Sequence, residues 1–258
     1  MELTTAQLSA LLGGYLWPLL RVSAMAMVAP LFGAGTTPVR VRLSVALAVT
    51  WAIRPLLPAA PAVDPLSAAG ILIAVHQLLL GVATGFIFQL VFGALVLGAQ
   101  TIAMTMGLGF AQFIDPQGEP TVVVGTFYSL LGMLLFVSLN GHLVLIQVIA
   151  ESFRTLPVGT SGISRDSLVQ LALWGGRMFA GGLLIALPAV LAITMINVGF
   201  GVVARAAPQV NIFGVLFPAT MAAGFAVMLL TLPSLLPRFT ALVMEGFDFA
   251  AHGLLTGA

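Results

Sequence analysis

The three histidines are the most chemically versatile side chains in this sequence, but their spacing does not form a reactive site. His76, His142 and His252 are far apart in the chain and show none of the short His or carboxylate spacings that bind a metal ion. The serines that could act as nucleophiles have no histidine at a motif spacing. We therefore expect each histidine to be a hydrogen-bonded helix residue. We predict no catalytic residue, no metal site and no cofactor.

Composition excludes several further functions. The chain has no cysteine, so disulfides, zinc–thiolate sites and thiol nucleophiles cannot form. It has neither a phosphate-binding glycine loop nor the motifs of a kinase. The net charge is +1 and the nine basic residues form no run, which argues against nucleic acid as a partner. The sequence therefore predicts a protein that is not an enzyme.

The composition is typical of a helical membrane protein. Hydrophobic residues make up 60% of the chain and charged residues 7%, whereas soluble domains have about 25% charged residues. Apolar runs of about 18 residues or more, enough for a helix to cross a bilayer, recur from end to end. We predict an all-α, polytopic integral membrane protein of long, broken helices and helical hairpins. We expect its first segment to be retained rather than cleaved as a secretory signal.

A loop with an unusually apolar sequence separates two of the long apolar runs. Gly107 and Gly109 remove the usual steric limits on the backbone, and Asp115 precedes a proline, which disfavours helix at that point. We call residues 106–113 the apolar loop; they are Met106, Gly107, Leu108, Gly109, Phe110, Ala111, Gln112 and Phe113. Two interpretations stay open. The loop is either a mobile apolar obstruction in a passage or a static turn that fills space between helices.

The apolar run before this loop is too long for one straight crossing. Residues 66–106 would form a helix of about 60 Å, against a hydrocarbon thickness of about 30 Å. The run either breaks into a hairpin or continues as a helix that partner proteins cover outside the bilayer. A ridge of Gly81, Gly85, Gln89 and Gly93 recurs every fourth residue and favours close packing against other helices.

The remaining segments are predicted from apolar runs and breaker residues. Asn140-Gly141 indicates a hairpin or a kinked pair of half-helices, and Asn197-Val-Gly199 hints at an unwound helix. The final stretch, residues 238–255, either lies along a surface or ends the last helix. The predicted segments are a first span at 6–33, a short second span at 43–57, a proline-rich linker at 55–65, an interrupted segment at 121–150, a long segment at 167–203, and a segment at 212–236 kinked at Pro218 and Pro233.

The candidates for buried charged or polar residues within apolar segments are Arg21, Arg177 and Asn140. An arginine at mid-bilayer costs roughly 2.5–3.5 kcal/mol on insertion scales, so Arg21 is expected to face protein or water. The alternative is that Arg21 reaches an interface or caps a helix end within an assembly. We expect Arg21 and Arg177 to pair with acidic groups on neighbouring subunits, because this chain offers few acidic partners at comparable positions.

A second turn with polar side chains connects two apolar helices. Its candidate residues for a partner or gate contact are Arg205, Pro208, Gln209, Asn211 and Phe213. The alternative is a plain connecting turn, in which Gln209 and Asn211 satisfy nearby backbone groups.

Motifs spread over nearly the whole chain resemble the flagellar biosynthetic protein FliR family, a membrane component of type III secretion export gates. The residues that carry the resemblance are Trp17-Pro-Leu-Leu-Arg-Val22, Ala29-Pro30 with Pro38-Val-Arg40, Gly81 to Phe86, Met106-Gly-Leu-Gly-Phe-Ala-Gln-Phe-Ile-Asp-Pro116, Asn140-Gly-His142, Leu156-Pro157, and Arg205-Ala-Ala-Pro-Gln-Val-Asn-Ile-Phe213 with Phe217-Pro218. No single one of these motifs is specific, but together and in this order they are.

The resemblance implies a pore-forming subunit of a flagellar export gate. One copy would join FliP-like and FliQ-like subunits in a hetero-oligomeric helical cone in the bacterial inner membrane, within the flagellar basal body. An FlhB-like switch protein and unfolded export substrates are the further expected partners. The apolar loop would plug the channel that unfolded flagellar substrates cross, and residues 1–258 would form a single export-gate membrane domain. The tail after Arg238 is shorter than some members would lead us to expect.

A different class of function remains open from the residues alone, namely an autonomous secondary transporter or channel for a small solute. Such a protein would have a polar pocket near the middle of the membrane.

Overall fold

The structure is a computed structural model that describes residues 5–33, 37–110, 123–160, 162–207, 209, 214–215 and 217–254. Helices account for nearly all of these residues, and no strand occurs among them, which confirms the all-α prediction. The α-helices are α1 (Thr5–Val28), α2 (Val39–Ile53), α3 (Ala68–Thr105), α4 (Val123–Ser138), α5 (Gly141–Thr155), α6 (Arg165–Trp174), α7 (Gly176–Ala206) and α8 (Phe217–Asp248). Short 3-10 turns at Arg54–Leu56 and Leu108–Phe110 and a π-helical turn at Phe249–Leu254 complete the order.

Helix α3 is a single helix of 38 residues without a break. The hairpin alternative for this run is therefore wrong, and the run continues as one helix. Its cover by partner proteins outside the bilayer stays a prediction. The chain enters the helix through Ser67, whose hydroxyl accepts a hydrogen bond from the amide of Gly70 at 3.1 Å and so caps the first turn. The last residue of the helix is Thr105. Gly107, two residues later, has a φ of 85°, the left-handed conformation that commonly follows the end of a helix.

Three helical stretches within the described part of the chain are long and apolar enough to cross a membrane: Ala68–Thr105, Arg165–Ala206 and Phe217–Leu254. Helices α4 and α5 together make a fourth if the bent pair is one span. The prediction of a polytopic membrane protein with long helices is thus confirmed.

The bend between α4 and α5 lies where the Asn-Gly pair predicted a hairpin or a kinked pair. The two helices are inclined by 66°, and Asn140 between them has a left-handed backbone with φ 56° and ψ 24°. Asparagine tolerates this conformation better than most residues. The next residue, Gly141, has no room for a side chain, because a Cβ atom there would lie 2.5 Å from the Phe136 ring.

Helix α8 differs from the prediction at Pro218. Pro218 is the second residue of α8, where proline is tolerated because the first amides of a helix have no partner within it. The predicted kink at Pro218 is therefore wrong, whereas Pro233 does lie inside the helix. The stretch from Arg238 onward continues α8 into the π-helical turn, so it ends the last helix.

The chain folds into two compact units. The first comprises Met1–Leu90, Phe136–Gly175 and Val243–Ala258. Its core contains three phenylalanine rings in mutual contact: the ring centre of Phe88 lies 4.6 Å from that of Phe247 and 6.3 Å from that of Phe136. Helices α1 and α3 approach closely in this unit, since a Cβ on Gly85 would lie 2.8 Å from the carbonyl oxygen of Met25.

The second unit comprises Val91–Leu135 and Gly176–Leu242. Helices α3 and α7 meet here through glycines, because a Cβ on Gly98 would lie 2.8 Å from the carbonyl oxygen of Gly182. Gly93 lies against the thioether of Met178. Gly81 and Gly85 face α1, so all three glycines of the predicted small-residue ridge of α3 pack against other helices. Gln89, the fourth member of that ridge, is exposed. A single membrane domain over 1–258 stays a prediction.

Candidate functional site

Arg21 is fully buried, with 0% of its surface exposed. Helix α1 carries it into the first unit, where α3 and the end of α5 supply its hydrogen-bond acceptors. Its Nε donates to Gln77 Oε1 at 2.8 Å. Its Nη1 donates to the carbonyl oxygen and the hydroxyl of Ser152 at 2.8 and 2.9 Å, and its Nη2 donates to the carbonyl oxygen of Leu156 at 2.9 Å. The guanidinium carbon also lies 4.0 Å from the centre of the Phe153 ring.

These hydrogen-bond acceptors of Arg21 are all neutral, and their arrangement compensates its charge. Ser152 and Leu156 flank the end of α5 at Thr155, where unpaired carbonyl groups concentrate the negative end of the helix dipole. A cation is stabilised at such a position, and the face of Phe153 adds a cation–π contact. Arg21 thus caps a helix end, which was one of the two alternatives, but it does so inside its own chain. Within the part of the chain that the structure describes, the expected acidic partner is replaced by these oxygens.

The other two residues of the predicted buried set lie at the surface of this chain. Asn140 is exposed in the turn between α4 and α5, and Arg177 is exposed in the first turn of α7. The prediction of burial is therefore wrong for them within the chain itself. The reason is that both lie at a helix end, where the backbone leaves the packed surface, although the surrounding sequence is apolar. Burial of either residue by a partner subunit stays a prediction.

The first residues of the apolar loop are firmly packed in the second unit. Met106 has 0% of its surface exposed, and it lies against α8, where a Cβ on Gly224 would be 2.5 Å from Met106 Cγ. The side-chain amide of Asn197 in α7 donates to the carbonyl oxygen of Thr105 at 3.0 Å. The loop therefore begins from a point that contacts both α7 and α8.

The next residues of the loop form the 3-10 turn Leu108–Phe110. Leu108 and Gly109 are partly exposed, and Gly109 lies so close to the thioether of Met104 that a side chain there would displace it. Ala111, Gln112 and Phe113 lie outside the described residues. The structure thus places the start of the loop, and its role as a mobile obstruction stays a prediction.

The polar turn after α7 is described only in part. Arg205 is exposed in the last turn of α7, and Gln209 is an exposed turn residue. Pro208, Asn211 and Phe213 lie outside the described residues. A partner or gate contact at this turn stays a prediction.

Sequence reasoning missed Gln77 and Ser152 as partners of Arg21, and it misread Asn197. Gln77 is one of three glutamines in a run without charged residues, and a polar side chain in such a run was the available signal. The pattern Asn197-Val-Gly199 hints at an unwound helix, but Asn197 lies within the continuous helix α7. Its side-chain amide instead donates a hydrogen bond to the carbonyl oxygen of Thr105 at the end of α3.

The long helices leave much apolar surface uncovered. In the most apolar window of each stretch, 61% of the residues are buried in Ala68–Thr105, 33% in Arg165–Ala206 and 17% in Phe217–Leu254. Exposed side chains recur along α7 every three or four residues, the spacing of the ridges by which helices pack; they are Phe179, Leu183, Leu187, Leu191, Met195, Val198 and Val202. Fold and site together define a polytopic helical membrane protein with an apolar loop whose first residue, Met106, is buried.

Comparison with known proteins gives the family. Residues 12–246 match the family of bacterial export proteins, family 1. The chain is 36% identical over 252 residues to the flagellar biosynthetic protein FliR of Escherichia coli (strain K12), which covers 97% of this chain and 96% of that protein. It is 37% identical over 238 residues to the flagellar biosynthetic protein FliR of Pectobacterium carotovorum subsp. carotovorum, covering 92% and 91%. It is 26% identical over 220 residues to the protein of that name from Bacillus subtilis (strain 168), covering 83% of this chain and 84% of that protein.

The chain belongs to this family of bacterial export proteins, which includes the flagellar biosynthetic protein FliR. The resemblance drawn from the sequence motifs is thereby confirmed.

Proposed function

We propose that this chain is a pore-forming subunit of the flagellar type III protein export gate. It helps line and plug the channel through which unfolded flagellar substrates cross the inner membrane of the basal body. The description of the family supports a role in export, and the names of its relatives support a role in flagellar biosynthesis. The proposed partners are FliP-like and FliQ-like subunits, with one copy of this chain in each gate, and an FlhB-like switch protein.

The length of the apolar helices carries this proposal. Helix α3 has 38 residues and the stretch Phe217–Leu254 has 38, so each is about 57 Å long, whereas the hydrocarbon core of a bilayer is about 30 Å thick. Apolar surface that extends beyond the bilayer would contact water unless protein covers it. The low burial of Phe217–Leu254 within this chain leaves that surface available to neighbouring subunits.

In the proposed gate the apolar loop, residues 106–113, closes the channel when no substrate is present. Phe110 and Phe113 supply an apolar seal, and Met104 and Met106 are adaptable neighbours. A constriction lined by apolar side chains blocks ions because water leaves it. The buried Met106 and the left-handed Gly107 support this proposal, because they fix the first two residues of the loop.

Deletion of residues 108–112 tests the plug. Cells that express the complete gate with this deletion are expected to leak ions and small molecules while they still export substrates, since the channel loses its obstruction and keeps its walls. The measurement is uptake of a small impermeant dye together with secretion of flagellar substrates. A gate with the exposed substitution Arg40→Met on α2 serves as the control. Unchanged leak with normal export would reject the plug and favour a static turn.

A further inference from the structure

The end of α3 is held by a contact that the function above does not itself require. The last four carbonyl groups of a helix have no partner within it, and in a membrane protein they must find partners from protein or from water. The carbonyl oxygen of Ile102 accepts from the amide of Met106 at 3.0 Å, and that of Met104 accepts from the amide of Gly107 at 3.0 Å. The carbonyl oxygen of Thr105 accepts from the Asn197 side chain at 3.0 Å.

The Asn197 contact differs from the other two because it comes from another helix. The donor and acceptor are 92 residues apart in the chain. Asn197 lies in the last third of α7, on a stretch whose other exposed side chains are mostly apolar. A lone amide on such a helix is costly unless it forms a hydrogen bond, and here it donates to the carbonyl group next to the first residue of the apolar loop.

Two further features fix the same point. Met106 is fully buried against Gly224 of α8, and Gly107 turns the chain out of the helix with a φ of 85°. Other residues adopt this conformation only with strain. The chain therefore leaves α3 in one direction, set by a hydrogen bond to α7 and by a packed side chain on α8.

We infer that Asn197 is a positioning residue for the apolar loop. Its side-chain amide holds the last turn of α3, so that Leu108–Phe110 start from a fixed point and in a fixed direction. The hinge of any loop movement then lies after Gly107, and Met106 stays seated. The consequence for leak rests on the proposed plug, whereas the consequence for the backbone does not.

The direct test is hydrogen exchange of the backbone amides in the purified gate complex. Asn197→Ala is expected to accelerate exchange at Met106 and Gly107 by about fivefold, the effect of one lost hydrogen bond. Asn197→Leu fills a similar volume without a donor and is expected to give the same result. Thr194→Ala, at an exposed position one turn earlier in α7, is the matched control. Unchanged exchange at Met106 and Gly107 in both Asn197 variants would overturn the inference.

The functional test combines Asn197→Ala with the deletion of residues 108–112. Asn197→Ala alone is expected to raise dye leak by a few fold, and to raise it no further once the loop is deleted, because it acts through the loop. An equal increase in both backgrounds would overturn the inference, since Asn197 would then act elsewhere. If the deletion itself gives no leak, the plug is rejected, and hydrogen exchange alone decides whether Asn197 fixes the end of α3.

Discussion

Arg21 shows how a charge is accommodated in an apolar helix without an acidic partner. A guanidinium group carries five donors in a rigid fork, and three of its nitrogens donate to oxygens of Gln77, Ser152 and Leu156. Ser152 is 131 residues away in sequence. The sequence predicted that Arg21 avoids lipid, because insertion energies require it. It could not predict these acceptors, since they come together only when α1, α3 and α5 pack.

Substitution of Arg21 is expected to destabilise the first unit even when the positive charge is kept. Arg21→Met leaves buried oxygens without donors, and each such group costs about 1–3 kcal/mol. Arg21→Lys keeps the charge, but a single ammonium group cannot reproduce the fork. Both variants are expected to lower the thermal transition of the purified protein, and Arg40→Met, at an exposed site, is expected to change it little. A stable Arg21→Lys variant would show that charge alone matters.

At the scale of elements, glycines decide which helices approach closely. A Cβ on Gly85 of α3 would lie 2.8 Å from the carbonyl oxygen of Met25 in α1 and 3.1 Å from the amide nitrogen of Ala29, which directly follows α1. Both neighbours are backbone atoms and cannot rotate away. The recurring glycines in the sequence therefore predicted the packing correctly, although they could not show which helix is the neighbour.

Gly85→Ala is expected to separate α1 from α3 and to lower the stability of the first unit by about 1–3 kcal/mol, the usual cost of overpacking. Gly176→Ala is the matched control, because in the described part of the chain nothing beyond its own chain neighbours and helix backbone lies within 4 Å of the added Cβ. Thermal unfolding of the two variants in the same detergent gives the comparison. Equal transitions would show that α1 can shift to accept the extra methyl group.

Helix boundaries show where local patterns suffice and where they do not. The Asn140-Gly141 pair predicted the bend between α4 and α5, because both residues favour turns. The unbroken α3 could not be chosen over a hairpin, because its glycines are compatible with either a break or close packing. The prediction of a kink at Pro218 failed for a related reason. The effect of a proline depends on its position in the helix, and Pro218 lies in the first turn of α8.

For the whole molecule, the question is what covers the apolar surface that the chain leaves exposed. Only 17% of the most apolar window of Phe217–Leu254 is buried. Lipid covers such a surface along about 30 Å, and the rest of these long helices requires protein. An autonomous transporter would bury its long helices against each other and surround a polar site, whereas an export-gate subunit would leave them for its neighbours.

Purification of the chain with and without partner subunits therefore distinguishes an export-gate subunit from an autonomous transporter. Expressed with FliP-like and FliQ-like subunits, it is expected to co-purify in detergent as one stable complex, and native mass measurement is expected to show one copy of this chain. Expressed alone, it is expected to aggregate, because its long apolar helices have no protein cover. Leu230→Glu on α8, at a side chain that is 80% exposed, places a charge on this surface and is expected to weaken the complex. Leu230→Met is the matched control, because it keeps an apolar side chain of similar volume at the same position. A lone chain that is monodisperse and moves a small solute into liposomes would contradict the gate subunit and favour the transporter.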